Sequence, residues 1–296
     1  MLKIKYITDS TSDIPRDYAA EHNIDVLGIR IQFPDGTIVR DWIEMTPPEF
    51  YEKLASNSEI PKTSQPSIME IEELYKNALE EYDAVIFVTM SSLASGTYNV
   101  ANMAKNNVLE TNPDAKIEII DSRAFSLFEV IMLEEAMKLQ KEGKTLEEIV
   151  EGVKQRRRLT DVCAVVDTLK YLEKGGRINK ASLIAGTLLD LKPVISVREG
   201  IIESIDKFRG SKTVISKMIK KIKTMDIDES DPQFSIVHSR VADKAEALTE
   251  ALAENFDGAK VNFLSEIGAT VGTHVGPGTL AAFFKLKTPR KVYDED

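Results

Sequence analysis

The chain of 296 residues contains a single cysteine, so no intramolecular disulfide and no cysteine-rich zinc cluster can form. Cys163 stands in the apolar run Val162 to Val166 and reads as a buried, inert thiol, which fits a reducing compartment. Histidine is scarce as well: there are 3, scattered rather than spaced as metal ligands. Asp9-Ser10-Thr11-Ser12-Asp13 lacks the long loop ending in glutamate that calcium requires, so no metal is expected. Positive charge is in deficit, with 38 Lys and Arg against 48 Asp and Glu, a net charge of -10. Such a surface repels phosphate backbones, and with 7% aromatic residues it has no basic face with interleaved rings, which excludes a nucleic-acid partner. Arg156-Arg157-Arg158 is the only compact basic run, and it reads as the solvated end of a helix over Thr145 to Lys154. Neither Gly-x-x-x-x-Gly-Lys-Ser/Thr nor Gly-x-Gly-x-x-Gly follows a strand-like run, so nucleotide binding has no support. No uncharged run is long enough to span a membrane, and Met1 to Ile7 is too short for the core of a signal peptide, so a cytoplasmic location is expected.

What the chain does have is 43% hydrophobic residues, enough for roughly two domains. Lys3 to Thr8, Ala84 to Met90 and Lys116 to Asp121 read as strands, each followed by a polar turn and an amphipathic segment, the rhythm of a parallel α/β sheet. Val26 to Phe33 and Thr37 to Trp42, joined by Pro34-Asp35-Gly36, read as an inserted hairpin, about 26–42. Ser67…Glu70 and Thr145…Glu148 have capping-box spacing. Beyond Asp161 the alternation is less regular. Strands are expected at Cys163 to Val166, Val194 to Val197, Ile201 to Phe208, Gln233 to Ser239 and Lys260 to Leu264. Helices are expected at Lys180 to Ala185, Lys212 to Met225 and Ala242 to Glu254, and Phe283 and Phe284 would tie a last helix to the core. This divides the chain into an α/β domain over 1–160, a second α+β domain over 161–288 and a fraying polar tail over 289–296.

The segment richest in chemistry is Ile267 to Gly278, where His274 lies among glycines whose backbone N–H groups would stay free for an oxyanion. The alternative is a histidine that merely fixes a tight turn. Three hydroxyl-rich turns could converge on it: Thr8 to Asp13, Thr63-Ser64-Gln65-Pro66-Ser67 and Ser91 to Thr97. Ligands of open α/β sheets bind beyond the carboxyl ends of the strands, where these turns fall, although each alone could be a plain helix cap. A neutral hydroxyl cluster suits a carboxylate better than a polyphosphate. Ser95 with His274 could instead be a hydrolase pair, but Leu93 stands where a nucleophile elbow needs glycine. A non-lipid module for a small anion is a third reading. Lys174-Gly175-Gly176-Arg177-Ile178 is in its bland reading a helix C-cap, yet Arg177, with Arg209, could supply planar donors to a carboxylate or phosphoryl group.

In order along the chain, Thr8-Asp9-Ser10-Thr11, Thr63 to Ser67, Leu93 to Tyr98, Lys174 to Ile178, Leu191-Lys192-Pro193-Val194 and Gly272 to Gly278 resemble the DegV family. The resemblance covers nearly the whole chain. It implies a two-domain α/β bacterial protein that encloses one long-chain fatty acid between its domains, without any other cofactor, often as the binding subunit of a fatty acid kinase. Carried over position by position, Thr63 and Ser95 match hydroxyls that hold the carboxylate, and His274 completes the polar cluster, supported by Ser64, Gly96, Gly272 and Thr273. Arg177 and Arg209 match arginines needed in the complex with the ATP-binding kinase subunit, and transient membrane contact is compatible with such a role. One segment departs from the pattern: Phe125 to Phe128 is bulkier than the small, glycine-containing run often found there, which bears on the length and bend of the tunnel. Burying about 15 methylenes at ~0.8 kcal/mol each offers ~12 kcal/mol, ample for tight binding after ordering costs.

Overall fold

The computed structural model describes residues 2–178 and 191–290. Its strands are β1 (Ile4–Asp9), β2 (Asp25–Leu27), β3 (Arg30–Gln32), β4 (Ile38–Arg40), β5 (Lys62–Ser64), β6 (Ala84–Thr89), β7 (Ile117–Asp121), β8 (Thr160–Val165), β9 (Leu191–Arg198), β10 (Ile201–Arg209), β11 (Gln233–His238), β12 (Lys260–Glu266) and β13 (Leu280–Lys285). Its α-helices are α1 (Arg16–Glu21), α2 (Pro47–Ser56), α3 (Ile68–Glu81), α4 (Thr97–Thr111), α5 (Leu127–Lys141), α6 (Leu146–Arg158), α7 (Lys170–Gly175), α8 (Val214–Ile222), α9 (Ala242–Asn255) and α10 (Ala269–Val275). The helix expected at Lys180 to Ala185 lies outside the described residues.

β1 and β6 are buried along their whole length because both faces of a parallel sheet are covered. They form the centre of a four-stranded parallel sheet, order β2-β1-β6-β7. Side chains alternate between its faces: Ile7, Val85 and Phe87 pack beneath α3 and α4, whereas Ile4, Tyr6, Ile86 and Val88 face the opposite core. The second sheet has order β10-β9-β8-β13-β11-β12 and is antiparallel except for the β11–β12 pair. Its strands divide their side chains in the same way, with Cys163 and Val165 under α8 and α9, and Val162 and Ala164 in the core shared with the first sheet. The Cys163 thiol is fully buried, and burial pushes it up to about 12, so it is inert. Between the two sheets runs α5, whose Leu127, Phe128, Val130, Ile131, Met132, Leu133 and Ala136 are all buried; a helix apolar on nearly every side belongs inside.

Several expectations are corrected. Val26 and Leu27 belong to the parallel sheet as β2, so the inserted hairpin is only β3 and β4, and β5 joins it as a third antiparallel strand. The reason is the break at Gly28-Ile29, which turns the chain out of the parallel sheet. Phe283 and Phe284 are not on a helix: they lie in β13 and point to opposite faces, Phe283 to the shared core and Phe284 to the α8–α9 side. The expected helix from Lys212 begins as a 3-10 turn at Ser211–Thr213 and becomes α8 at Val214. The arginine run ending α6 is not a solvated end. Arg156 Nη2 reaches Gln233 Oε1 at 3.3 Å, Arg157 Nη1 donates to the Asp121 carbonyl at 2.9 Å, and Arg158 Nε donates to the Arg290 carbonyl at 3.2 Å. The start of the polar tail is likewise held: Arg290 donates to the Val197 carbonyl at 2.9 Å and pairs with Asp161. Both expected capping boxes form, and a third at Thr46…Glu49 starts α2.

Candidate functional site

A cavity of about 660 Å³ opens in the joint between the sheets, within the roughly 300–1,000 Å³ of small-molecule sites. Its walls are the inward side chains of the second sheet, among them Val162, Ala164, Ile195, Val197, Val237, Ala281 and Phe283, closed from the other side by Ile29, Met90 and Phe125. Val271 and Val275 of α10 add a further apolar wall. The lining is therefore mostly aliphatic, as the period of two along each strand dictates.

Polar groups enter this lining too. Thr63 of β5, Ser64, Gln65, Ser92, Ser95, Gly96, Asn99, Arg177 and His274 form one group of them, and Thr11, Ser126, Ser196, Thr270 and Thr279 line the same cavity. Thr63 Oγ1 and His274 Nε2 are 3.1 Å apart, and His274 Nδ1 is buried without a partner. Burial, reinforced by the Arg177 charge, pushes the imidazole down to about 4, so it is neutral at neutral pH. The Nδ1 edge of the ring abuts Gly175, where a Cβ would fall 2.3 Å from Nδ1. Ser95 Oγ meets Thr97 Oγ1 at 2.9 Å and accepts from Thr97 N–H at 3.3 Å, at the entrance to α4. Gln65 Oε1 fills the space beside Gly96 where a Cβ would stand, 1.8 Å from its ideal position. The N-terminus of a 15-residue helix, with its positive dipole end, thus faces the mouth of the cavity. Arg177 spans the same rim, its guanidinium donating to the carbonyls of Gly175 at 2.5 Å and Ala94 at 3.4 Å.

The segment carrying His274 differs from the glycine loop with free N–H groups expected above. It is the helix α10, and its first N–H groups are taken by two buried carboxylates. Asp13 Oδ1 accepts from Gly268 N–H at 2.8 Å. Asp41 accepts from Ala269 N–H at 3.0 Å, Thr270 N–H at 2.8 Å and the Thr270 hydroxyl at 2.5 Å. Ala269, Thr270, Thr273 and Val275 are buried, and Gly272 lets Phe50 and Tyr51 of α2 pack against the helix backbone. Gly272 and Thr273 therefore support the helix from behind, Thr273 Oγ1 donating to the Ala269 carbonyl at 2.8 Å.

The turn Thr8 to Asp13 is also buried rather than open to a ligand, apart from Thr11, which lines the cavity. Asp9 Oδ2 accepts from Met90 N–H at 2.9 Å, and Glu129 of α5 accepts from the hydroxyls of Thr8 at 2.9 Å and Thr11 at 2.8 Å. Desolvation raises the carboxyl groups of Asp9 to about 6 and Asp13 to about 8, and moves Asp41 and Glu129 in the same direction. A raised acid favours the fold at low pH and loses that contribution as pH climbs through its folded value. The depressed His274 acts oppositely, but only between about 4 and its ordinary value of 6.5. Above pH 6.5 His274 no longer offsets the raised acids Asp13, Asp41 and Glu129, so stability should fall by at least about 1 kcal/mol from pH 6.5 to 8, and Asp13→Asn should make that fall shallower. Urea midpoints at the two pH values check this, and a midpoint that holds or rises in the unsubstituted protein contradicts it.

The structure thus brings Thr63, Ser64, Ser95, Gly96, Arg177 and His274 to one rim and leaves Arg209 elsewhere. Arg209 ends β10 as an exposed residue, its carbonyl accepting from Thr213 and Lys217. Ser95 and His274 do not form a hydrolase pair: each is engaged with a threonine, and among the described residues no hydrogen bond joins them. Sequence reasoning missed Asn99 as a rim residue and Asp41 as the clamp on α10. Asn99 follows the hydroxyl turn at helical spacing and could have been found; Asp41, a lone acid beyond a short strand, carried no signal. Among the described residues no group of three or more His, Cys, Asp or Glu side chains is placed to hold a metal ion, and no helix is long and apolar enough to cross a membrane.

Comparison with known proteins agrees with this architecture. A family model described as "Uncharacterised protein, DegV family" matches residues 3–287. A DegV domain-containing protein of Caldanaerobacter subterraneus subsp. tengcongensis is 34% identical, over 97% of this chain and 100% of that one. A fatty acid-binding protein of Thermotoga maritima is 30% identical, over 94% of this chain and 96% of its own length. A solved structure describing fatty acid binding by a DegV family protein from Thermus thermophilus superimposes with a TM-score of 0.86 at 32% identity, covering 96% of this chain and 100% of that one.

Proposed function

The chain belongs to the DegV family, and from that premise and the shape of the cavity we propose that it binds one long-chain fatty acid, carboxylate at the hydroxyl rim and alkyl chain between the lobes 1–160 and 161–288. The observation that carries this reading is the cavity's lining: walls that are mostly aliphatic, with a group of hydroxyls, amides and a neutral imidazole gathered beside the N-terminus of α4. A carboxylate leaving water must find donors, and hydrogen bonds to a charged group contribute roughly 1.5–3 kcal/mol each. Thr63, Ser95 and the start of α4 provide them, while the guanidinium of Arg177 on the same rim is engaged by the carbonyls of Gly175 and Ala94. His274 sets the direction of the Thr63 hydroxyl. Its buried Nδ1 has no partner, and an unpartnered acceptor is less costly than an orphaned N–H. The proton therefore sits on Nε2 and is donated to Thr63 Oγ1, which frees the threonine hydroxyl to donate to the ligand.

In the same proposal the headgroup, hydrogen-bonded by hydroxyls, attacks the γ-phosphorus of ATP on a separate kinase subunit; the bond from that phosphorus to ADP breaks, ADP departs and the acid becomes an acyl phosphate. Arg177, at the rim, and Arg209, exposed on β10, serve that complex rather than lipid retention. The chain itself then supplies no catalytic nucleophile. An ester hydrolase is disfavoured because Ser95 lacks a base, and a small-anion module is disfavoured by an apolar cavity far larger than such a ligand.

Titration of delipidated protein with hexadecanoic acid and with its methyl ester tests the headgroup assignment. The acid should bind at least about tenfold more tightly, since the ester loses the charge-assisted bonds. Equal affinities would show that the polar rim does not hold a carboxylate.

A further inference from the structure

We propose that a second cavity, lined by five arginines, binds a phosphate monoester whose organic part is apolar. This cavity of about 450 Å³ lies where the end of β7, the C-terminus of α6, the start of β8, the β9–β10 turn and residues 286–290 meet. It shares no lining residue with the larger cavity, so the proposal does not depend on the fatty-acid reading. Two contacts stand between the cavities. Phe128 on the arginine side meets Phe283 on the other edge to face, with centroids 5.7 Å apart, and Ser196 of the larger cavity donates to Asp161 Oδ1 of the smaller at 2.9 Å.

Arg123, Arg157, Arg158, Arg198 and Arg290 line the smaller cavity, against three acids, Asp161, Glu199 and Asp226. Such a gathering of cations stands out in a chain of net charge -10. The acids are partly spent. Asp161 is shared between Arg198, at 3.0 Å, and Arg290, and Asp226 accepts from Thr288 N–H at 3.2 Å. Asp121, outside the lining, holds Arg123 at 2.9 Å. Many of the remaining contacts go to neutral carbonyls: Arg157 to Asp121, Arg158 to Arg290, and both Arg198 and Arg290 to Val197 at 2.9 Å. A carbonyl orients a guanidinium without neutralising it, and each guanidinium has five N–H donors to place. Burial accordingly lowers the pKa of Arg198, even with Glu203 acting against it, and takes Arg290 down to about 10. The side chains of Arg123, Arg198 and Arg290 remain a quarter to about a third exposed, so a solute can reach them. Guanidiniums approaching from several elements suit the three terminal oxygens of a phosphate better than a planar carboxylate, which one fork satisfies. A bare phosphate would leave most of the cavity unfilled, and Phe128, Met225, Leu286 and Pro289 supply apolar walls for an organic group.

The test is calorimetric titration of the delipidated chain with phenyl phosphate, inorganic phosphate and methyl phenyl phosphate. Phenyl phosphate should bind at least about tenfold more tightly than either, since inorganic phosphate lacks the apolar body and the diester lacks one charge. Its affinity should weaken with added salt and stay the same when hexadecanoic acid is present in excess. Arg123→Gln combined with Arg158→Gln should weaken it by about a hundredfold, while Arg198 and Arg290 are kept because they hold the buried Asp161. Should the double variant not fold, Arg158→Gln alone should lose about tenfold. No binding of phenyl phosphate by the unsubstituted chain, binding undiminished in the folded arginine variants, or displacement by hexadecanoic acid overturns the site. Equal affinity for inorganic phosphate overturns the apolar part of the assignment.

Discussion

Replacing Asp41 with alanine is expected to unseat the helix that carries His274 and to cost at least about 3 kcal/mol of stability. The carboxylate is buried and accepts from Ala269 N–H, Thr270 N–H, the Thr270 hydroxyl and Trp42 N–H, the last at 2.8 Å. Truncation leaves these donors without their acceptor where Asp41 is buried, and each stranded buried group costs roughly 1–3 kcal/mol. Removing the acid also relieves its own desolvation, which raises its pKa, but that single gain is smaller than the loss of several donors' partner. Asp41→Asn keeps one acceptor oxygen and should lose about half as much. Urea unfolding measures both, and an alanine variant within about 1 kcal/mol of the unsubstituted protein would mean that α10 is held by packing alone.

The second large effect is expected at the rim. Thr63→Ala combined with Ser95→Ala removes two donors to the carboxylate, and at roughly 1.5–3 kcal/mol each the loss of affinity should exceed about a hundredfold. Stability should fall by about 1–3 kcal/mol, because Thr63 is the hydrogen-bond partner of the buried His274 Nε2 and its loss strands that group, so binding is compared in the folded variant. Arg177→Ala should instead leave acid binding unchanged and lower acyl-phosphate formation when an ATP-binding kinase subunit is added, since its guanidinium already serves the carbonyls of Ala94 and Gly175. Fluorescence-monitored titration and phosphoryl-transfer assays separate the two classes. Equal loss of binding in all three variants refutes the division of labour.

Local signals made much of this architecture legible. The wholly apolar run of β6 and the capping boxes at Ser67 and Thr145 depend on residues close in sequence, so their reading survives into the fold. The rim was legible for the same reason: Thr63, Ser95 and His274 each sit in a distinctive short motif. What could not be read is what long-range partners decide. The glycine-rich stretch before Gly276 becomes helical because Asp13 and Asp41, over two hundred residues earlier, cap it. Phe283 and Phe284 belong to a strand because β8 and β11 flank them on either side, a circumstance that no window around two phenylalanines contains. Arg156 to Arg158 looked solvated because their carbonyl partners come from Asp121 and Arg290, and from the side chain of Gln233.

The account turns on whether an alkyl chain occupies the space between the sheets. Native mass spectrometry of protein purified without detergent measures this directly. The expected spectrum shows one long-chain fatty acid per chain, displaced by added acid and retained poorly by the Thr63→Ala, Ser95→Ala variant. Protein that emerges with no lipid, and takes none up when acids are supplied, would contradict the assignment.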